Sequence, residues 1–204
     1  AVENGEVDIL VGTQMVTKGL DFDRVGLVGI MSADNLLSFP DFRANERAFQ
    51  LIEQVAGRTG RRTSKGKVVI QAMKPRHSII QLALNHDFTG MQAKELAVRQ
   101  EYQYPPFVRL ITITLKHRDQ KLLQRAAGEF ARSLHSKIGD RFLGPEFAPI
   151  SRLKNLYQMQ IIVKVDKGSI GAKVRERIKK SHQEALLTPD FNRVKVVFDV
   201  DPNS

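Results

Sequence analysis

Two consecutive prolines, Pro105 and Pro106, set the strongest limit on how these 204 residues can fold. Neither offers a backbone N–H and each fixes φ, so no helix interior or central strand passes through the pair. The residue ahead of them, Tyr104, is pushed out of the helical region as well. A polar helix predicted over 87–104, with apolar Phe88, Met91, Leu96 and Val98, therefore ends there. We place a domain boundary at this point, with 1–86 before the helical, tyrosine-bearing connector 87–104 and 105–204 after it. Tyr102, Tyr104 and Phe107 beside the prolines are read as packing against a neighbouring domain, with base stacking as the alternative.

The apolar pattern differs on the two sides. Before the break it alternates strand and helix: a buried strand at 7–11 (Val7, Ile9, Leu10, Val11), a strand at 25–31, a helix at about 42–57, a strand at 67–73 and a helix at about 77–86. Such alternation predicts an α/β layer with a mostly parallel sheet. In the middle helix Ala48, Leu51, Ile52 and Val55 recur at helical spacing and should face that sheet. After the break the order is strand 107–116, helix 119–138, strand near 142–150, strand 157–165, helix 169–187 and strand 193–200. That order, β-α-β-β-α-β, predicts an α+β, ferredoxin-like (split βαβ) domain. The arrangement hosts many functions, so chemistry has to be argued from side chains.

Charge is divided as unevenly as pattern. Residues 1–104 hold 13 Lys+Arg against 12 Asp+Glu, whereas 105–204 hold 19 against 10 and so carry nearly all of the formal +10. Lys173, Arg175, Arg177, Lys179 and Lys180 crowd one predicted helix, and Arg152 and Lys154 occupy the connection between the middle strands. Either group suits phosphate neutralisation and salt-dependent DNA binding. A basic helix face is also a common solvated face, and a basic pocket could receive an acidic protein tail. With 42% hydrophobic and 26% charged residues the composition is that of a globular chain. No apolar run approaches the roughly 20 residues needed to span a bilayer and no secretory segment is present, so a cytoplasmic protein without membrane contact is expected.

Residues 54–61, Gln-Val-Ala-Gly-Arg-Thr-Gly-Arg, carry the densest chemistry. On a helix reaching about Gly60, Gln54, Arg58 and Arg61 fall at i, i+4 and i+7 and leave one face. Guanidinium groups stay charged and present forked donors that match phosphate oxygens. A solvated basic helix end, favoured by the macrodipole, is the competing account. Farther back, Gly12-Thr13-Gln14-Met15 and Lys18-Gly19 follow the apolar run at 7–11, placing hydroxyl, amide and backbone donors where open α/β sheets bind ligands.

These two segments, in this order, resemble motifs V and VI in the second RecA-like lobe of superfamily 2 helicases. Asp21-Phe22, Ser32-Ala33-Asp34, Pro40-Asp41-Phe42-Arg43, Glu46-Arg47, Tyr104-Pro105-Pro106, Leu143-Gly144-Pro145, Tyr157-Gln158-Met159-Gln160 and Asp199-Val200-Asp201-Pro202 narrow the resemblance to the PriA family of bacterial replication-restart DNA helicases, primosomal protein N-prime. Asp23 in place of proline and Thr59 in place of alanine depart from the pattern without touching charged groups. The resemblance implies a partial RecA-like lobe followed by the basic domain, in a protein that works 3′ to 5′ on forked and single-stranded DNA, reloads the primosome and meets single-stranded DNA-binding protein. It implies that Arg58 and Arg61 contact the ATP γ-phosphate, with Gln54 positioning them or the water. Gly57, Gly19 and Asp21 would belong to the nucleotide side, Gly12 and Gly19 acting through backbone conformation, and Thr13, Gln14 and Lys18 would contact DNA. Arg152, Lys154, Lys173, Arg177 and Lys180 are the candidate DNA contacts of the second half.

The sequence holds no Gly-x-x-x-x-Gly-Lys-Ser/Thr loop and no acidic magnesium-holding box. ATP and Mg would need a first lobe, and the chain is read as a carboxyl-terminal part of a longer enzyme, inactive alone and monomeric. His77, His86, His117, His135 and His182 stand singly and cysteine is absent, so metal ligation is not expected here, and zinc belongs to the upstream region in the family.

Overall fold

A computed structural model of the chain describes residues 7–12, 26–57, 66–185, 187–189 and 191–202, with the backbone alone at 169 and 170. The chain is α/β overall, and its described residues form a parallel sheet and an antiparallel sheet. It divides into two units, 1–98 and 99–204, each with a hydrophobic core of its own.

In the first unit β1 (Leu27–Ile30) is followed by a short helix, α1 (Ala33–Leu37), which the pattern reading missed, and by α2 (Ala44–Ala56). Then come β2 (Lys67–Ile70), α3 (Ser78–Leu84) and α4 (Phe88–Glu101). β1 and β2 pair in parallel, from Leu27 opposite Lys67 to Ile30 opposite Ile70. β2 is shorter than the expected 67–73 because the ladder has no partner on β1 beyond Ile30. Ala44, Ala48, Ile52 and Val55 recur on the buried face of α2, as helical periodicity requires. Phe49 is buried there, its ring 6.3 Å from that of Phe88, while Leu51 is only partly covered.

The strand expected at 7–11 is not there. Residues 7–12 are described, form no strand and are exposed, Ile9 at 81% and Val11 at 88%. A strand exists only through ladder hydrogen bonds to a neighbour, and among the described residues none pairs with this run, however apolar it is.

The second unit runs β3 (Arg109–His117), α5 (Gln120–Ile138), β4 (Phe142–Leu153), β5 (Leu156–Val165), α6 (Ser169–Ala185), a 3-10 turn at Phe191–Arg193 and β6 (Lys195–Val200). Its four strands lie in the order β4-β5-β3-β6 with antiparallel neighbours throughout. β3 and β4 are thus mutually parallel, and β5 lies between them. Asp119 starts α5, its carboxylate accepting from the N–H groups of Lys121 at 2.8 Å and Leu122 at 3.1 Å. Leu122, Ala126, Phe130, Leu134 and Ile138 then present one stripe to Ile111, Ile113 and Leu115 of β3 and to Met159, Ile161 and Val163 of β5. Burying a side chain as large as Phe130 contributes roughly 1.5–3 kcal/mol. From α6, Val174, Ile178 and Ala185 join the same core.

β4 and β5 form a hairpin in which Leu153 pairs with Leu156, leaving Lys154 and Asn155 as a two-residue loop. Both have positive φ, 49° and 62°, the signature of the type I′ turn that matches strand twist. Gly144 sits at an irregularity of β4 with φ 94°, where a Cβ would lie 2.6 Å from the carbonyl oxygen of Gln160. Only glycine fits both the dihedral and the approach.

Candidate nucleic-acid interface and the end of the second helix

In the first unit the loops that follow the two strands are tied together. The N–H of Ala33 donates to Gln71 O at 2.9 Å, and the carboxylate of Asp34 accepts from Met73 N at 2.7 Å and Lys74 N at 3.4 Å. Those backbone donors, led by Met73, hold the Asp34 carboxyl below its ordinary pKa. Asp41 accepts from the N–H of Arg43 and pairs with Arg47 at 2.8 Å, fixing the entry to α2. Asn45 on α2 donates to the buried carboxylate of Glu95 on α4 at 2.9 Å.

Those bonds aim the far end of α2. Gln54 lies half-buried on its last turn, and the helix ends at Ala56, short of the expected Gly57 to Gly60, with Gly57 as an exposed cap whose N–H donates to Glu53 O at 2.9 Å. Glu53, the carboxylate on that turn, is held by His86 Nδ1 at 3.0 Å. Arg58 and Arg61 lie outside the described residues, as do Thr13, Gln14, Lys18, Gly19 and Asp21. Gly12 is described and exposed, but no strand leads into it.

In the second unit the candidate cations divide by what holds them. Arg177 of α6 donates to Lys137 O at 2.9 Å and so satisfies a carbonyl at the C-terminal end of α5. Lys180 pairs with Glu176 one turn earlier at 3.0 Å, and Lys173 is exposed. Lys137 and Ser133 of α5 both donate to Glu184, and the Lys137 bond foremost holds that carboxyl below its usual range. Arg152 lies over the Tyr157 ring at 5.0 Å, and Lys154 is exposed in the hairpin turn.

Lys164 on β5 fastens the proline-bearing connector. Its ammonium donates to Tyr102 O at 2.6 Å and lies 4.5 Å from the centre of the Tyr104 ring, while burial lowers its pKa. Tyr104 is thus packed within this unit, whereas the side chain of Tyr102 remains exposed.

Sequence reasoning passed over a second set of cations, Lys116 and Lys195, because each stands alone in its strand. The register of β3 and β6 places them directly opposite one another. No residue spacing within one segment signals such a pair. Among the described residues no three His, Asp or Glu side chains converge to hold a metal ion, and no helix is long and apolar enough to cross a membrane.

Comparison with known proteins gives this arrangement a context. The family model described as the primosomal protein N C-terminal domain matches residues 100–203. The chain is 37% identical over 204 residues to the replication restart protein PriA of Bacillus subtilis, covering 99% of the chain and 25% of that protein. It is 42% identical over 166 residues to the one from Synechocystis, covering 79% and 20%, and 36% identical over 200 residues to the one from Treponema pallidum, covering 97% and 30%. The chain therefore spans about a quarter of the length of the curated relatives it matches.

Proposed function

We propose a function from the premise that this chain belongs to the primosomal protein N family, the replication restart proteins PriA. The protein of which these residues form part is an ATP-dependent 3′ to 5′ DNA helicase that acts at stalled replication forks and reassembles the primosome. The first unit is read as the motif V and VI part of a second RecA-like lobe. The second unit is read as a ferredoxin-like domain that contacts forked DNA. The antiparallel order β4-β5-β3-β6, with β3 and β4 split by β5, supports the latter reading.

The single observation that carries the proposal is the end of α2. Its helix is anchored through Asp41–Arg47 and Asn45–Glu95, and it leaves Gly57 exposed immediately before Arg58. Glu53, the carboxylate on that turn, is engaged by His86 and so turned to a partner within the unit. Arg58 and Arg61 donate forked hydrogen bonds to the γ-phosphate, and Gln54 orients them or the attacking water. Bound ATP with its magnesium ion, held by a first lobe, supplies the transferred phosphoryl group. Thr13, Gln14 and Lys18 contact the DNA strand, while Gly12, Gly19 and Asp21 link that contact to the arginine helix. Single-stranded DNA-binding protein and other primosome proteins are the proposed partners, zinc belongs to another part of the protein, and the setting is the bacterial cytoplasm, with the protein as a monomer.

Arginines of this kind are worth on the order of 10³–10⁵ in phosphoryl-transfer rate. In the intact protein Arg58→Ala is expected to cut DNA-stimulated ATP turnover by more than about 10²-fold while DNA affinity stays near that of the parent. Near-normal turnover in that variant would remove the arginine role.

A further inference from the structure

The pairing of Lys116 with Lys195 is a local conflict in an otherwise consistent sheet. Side chains alternate faces along a strand. Ile111, Ile113 and Leu115 belong to the core under the helices, so Lys116 stands on the other, helix-free face of β3. Val196 packs against the core, so Lys195 stands on that same free face. Like charges directly across an antiparallel pair destabilise the sheet, and local rules are broken where function requires it. Neither lysine has an ion-pair partner among the described residues. The third strand offers no relief, because Lys116 faces Gln158 on β5, whose amide donates to Ile150 O at 3.4 Å.

More cations gather at this end of the sheet. Arg118 and Lys121 follow β3 into the first turn of α5, and Lys154 lies in the hairpin turn between β4 and β5, all exposed. Segments 116–121, 152–156 and 191–195 together contain one carboxylate, Asp119, and it is committed to the N–H groups that open α5. Farther along the free face Thr112, Thr114, Gln160 and Ile162 are half-covered, and no aromatic ring stands at the free-face positions of β3, β5 or β6. Single-strand binders rely on aromatic stacking platforms, and the strand positions at the Lys116–Lys195 end have none, the Tyr104 ring lying over Lys164 at the opposite end of β5. These cations are spaced over three segments, with Leu153 and Val197 exposed among them. Spaced cations without rings match a duplex backbone, which is recognised through its phosphates.

We propose that Lys116 and Lys195, with Arg118, Lys121 and Lys154, form the contact of the second unit with the phosphodiester backbone of double-stranded DNA. The inference rests on the reading that this unit contacts DNA, and it assigns that contact to the sheet end in place of the α6 face.

Fluorescence anisotropy of residues 1–204 against a labelled duplex across a salt series tests it. Each lost phosphate contact reduces the slope of log K against log salt by about 0.9. Lys195→Gln is expected to lower the slope by about 1, and Lys195→Glu to weaken binding at least about tenfold for every duplex sequence. Lys195→Glu also turns a like pair into an opposite one, so it should melt no lower than the parent, which separates lost contact from lost fold. If Lys195→Glu binds as the parent does while Lys173→Glu loses affinity, the sheet-end assignment is overturned and the DNA reading stands. A parent chain without duplex affinity at low salt overturns both, and its retention of an acidic peptide would then name the occupant.

Discussion

At Asp34 one carboxylate joins two loops that lie 39 residues apart in sequence, and it does so through backbone N–H groups that any residue could supply. Nothing in the identities of Met73 and Lys74 announces the bond, so the Ser32-Ala33-Asp34 segment reads from sequence only as part of a family pattern. Lys164 is similar: it is one lysine in an apolar strand, and its use is visible only once Tyr102 and Tyr104 are folded back onto it. His182 was legible as a lone histidine without metal partners, and its surroundings give it a different role. Its ring meets Phe198 at 5.2 Å, Phe130 at 6.3 Å and Phe191 at 6.5 Å, and burial pushes its pKa below the ordinary value. The folded state thus favours neutral imidazole. Stability from this site is present above about pH 6.5, the unfolded value, and is lost as pH falls from there toward the folded pKa. Replacing His182 by leucine should flatten that part of the pH dependence, measured as the urea midpoint at a series of pH values; an unchanged profile would place the acid sensitivity elsewhere.

Helical elements were the most legible, because a stripe repeating every three or four residues fixes both the element and its buried face. α5 begins one residue after its capping Asp119 and buries the stripe read from sequence. Its centre is the closed contact of Phe130 with Phe191 at 5.8 Å, so Phe130→Ala is expected to cost about 3–5 kcal/mol in chemical denaturation. A cost below about 1 kcal/mol would mean that the helix is not held by this core. Strands were less legible, since apolar content does not say whether a partner exists. The run Val7 to Val11 is as apolar as β2 yet remains unpaired among the described residues, whereas β4 runs to Leu153, three residues past its expected end, because the Lys154-Asn155 turn lets the ladder continue. The candidate site divides the same way. Helical spacing grouped Gln54 with Arg58 and Arg61, of which only Gln54 lies among the described residues, while the opposed Lys116 and Lys195 depend on register between strands about 80 residues apart in sequence.

For the molecule as a whole, the sequence places a boundary at Pro105-Pro106 after a connector at 87–104, whereas the contacts divide the chain between 98 and 99, within α4. One part carries the end of α2, after which Arg58 and Arg61 follow in the sequence as the proposed phosphate contacts, and the other carries nearly all of the net positive charge. A binding module would need only the second. A motor needs both, coupled through ATP, and the two accounts differ in whether hydrolysis drives strand separation. The decisive measurement is therefore unwinding of a forked duplex by the intact protein, followed by strand-displacement fluorescence with ATP, with a non-hydrolysable analogue and without nucleotide. The account predicts separation with ATP alone, although the fork is bound under all three conditions; equal binding with no ATP-dependent separation would contradict it and leave a basic DNA-binding protein in its place.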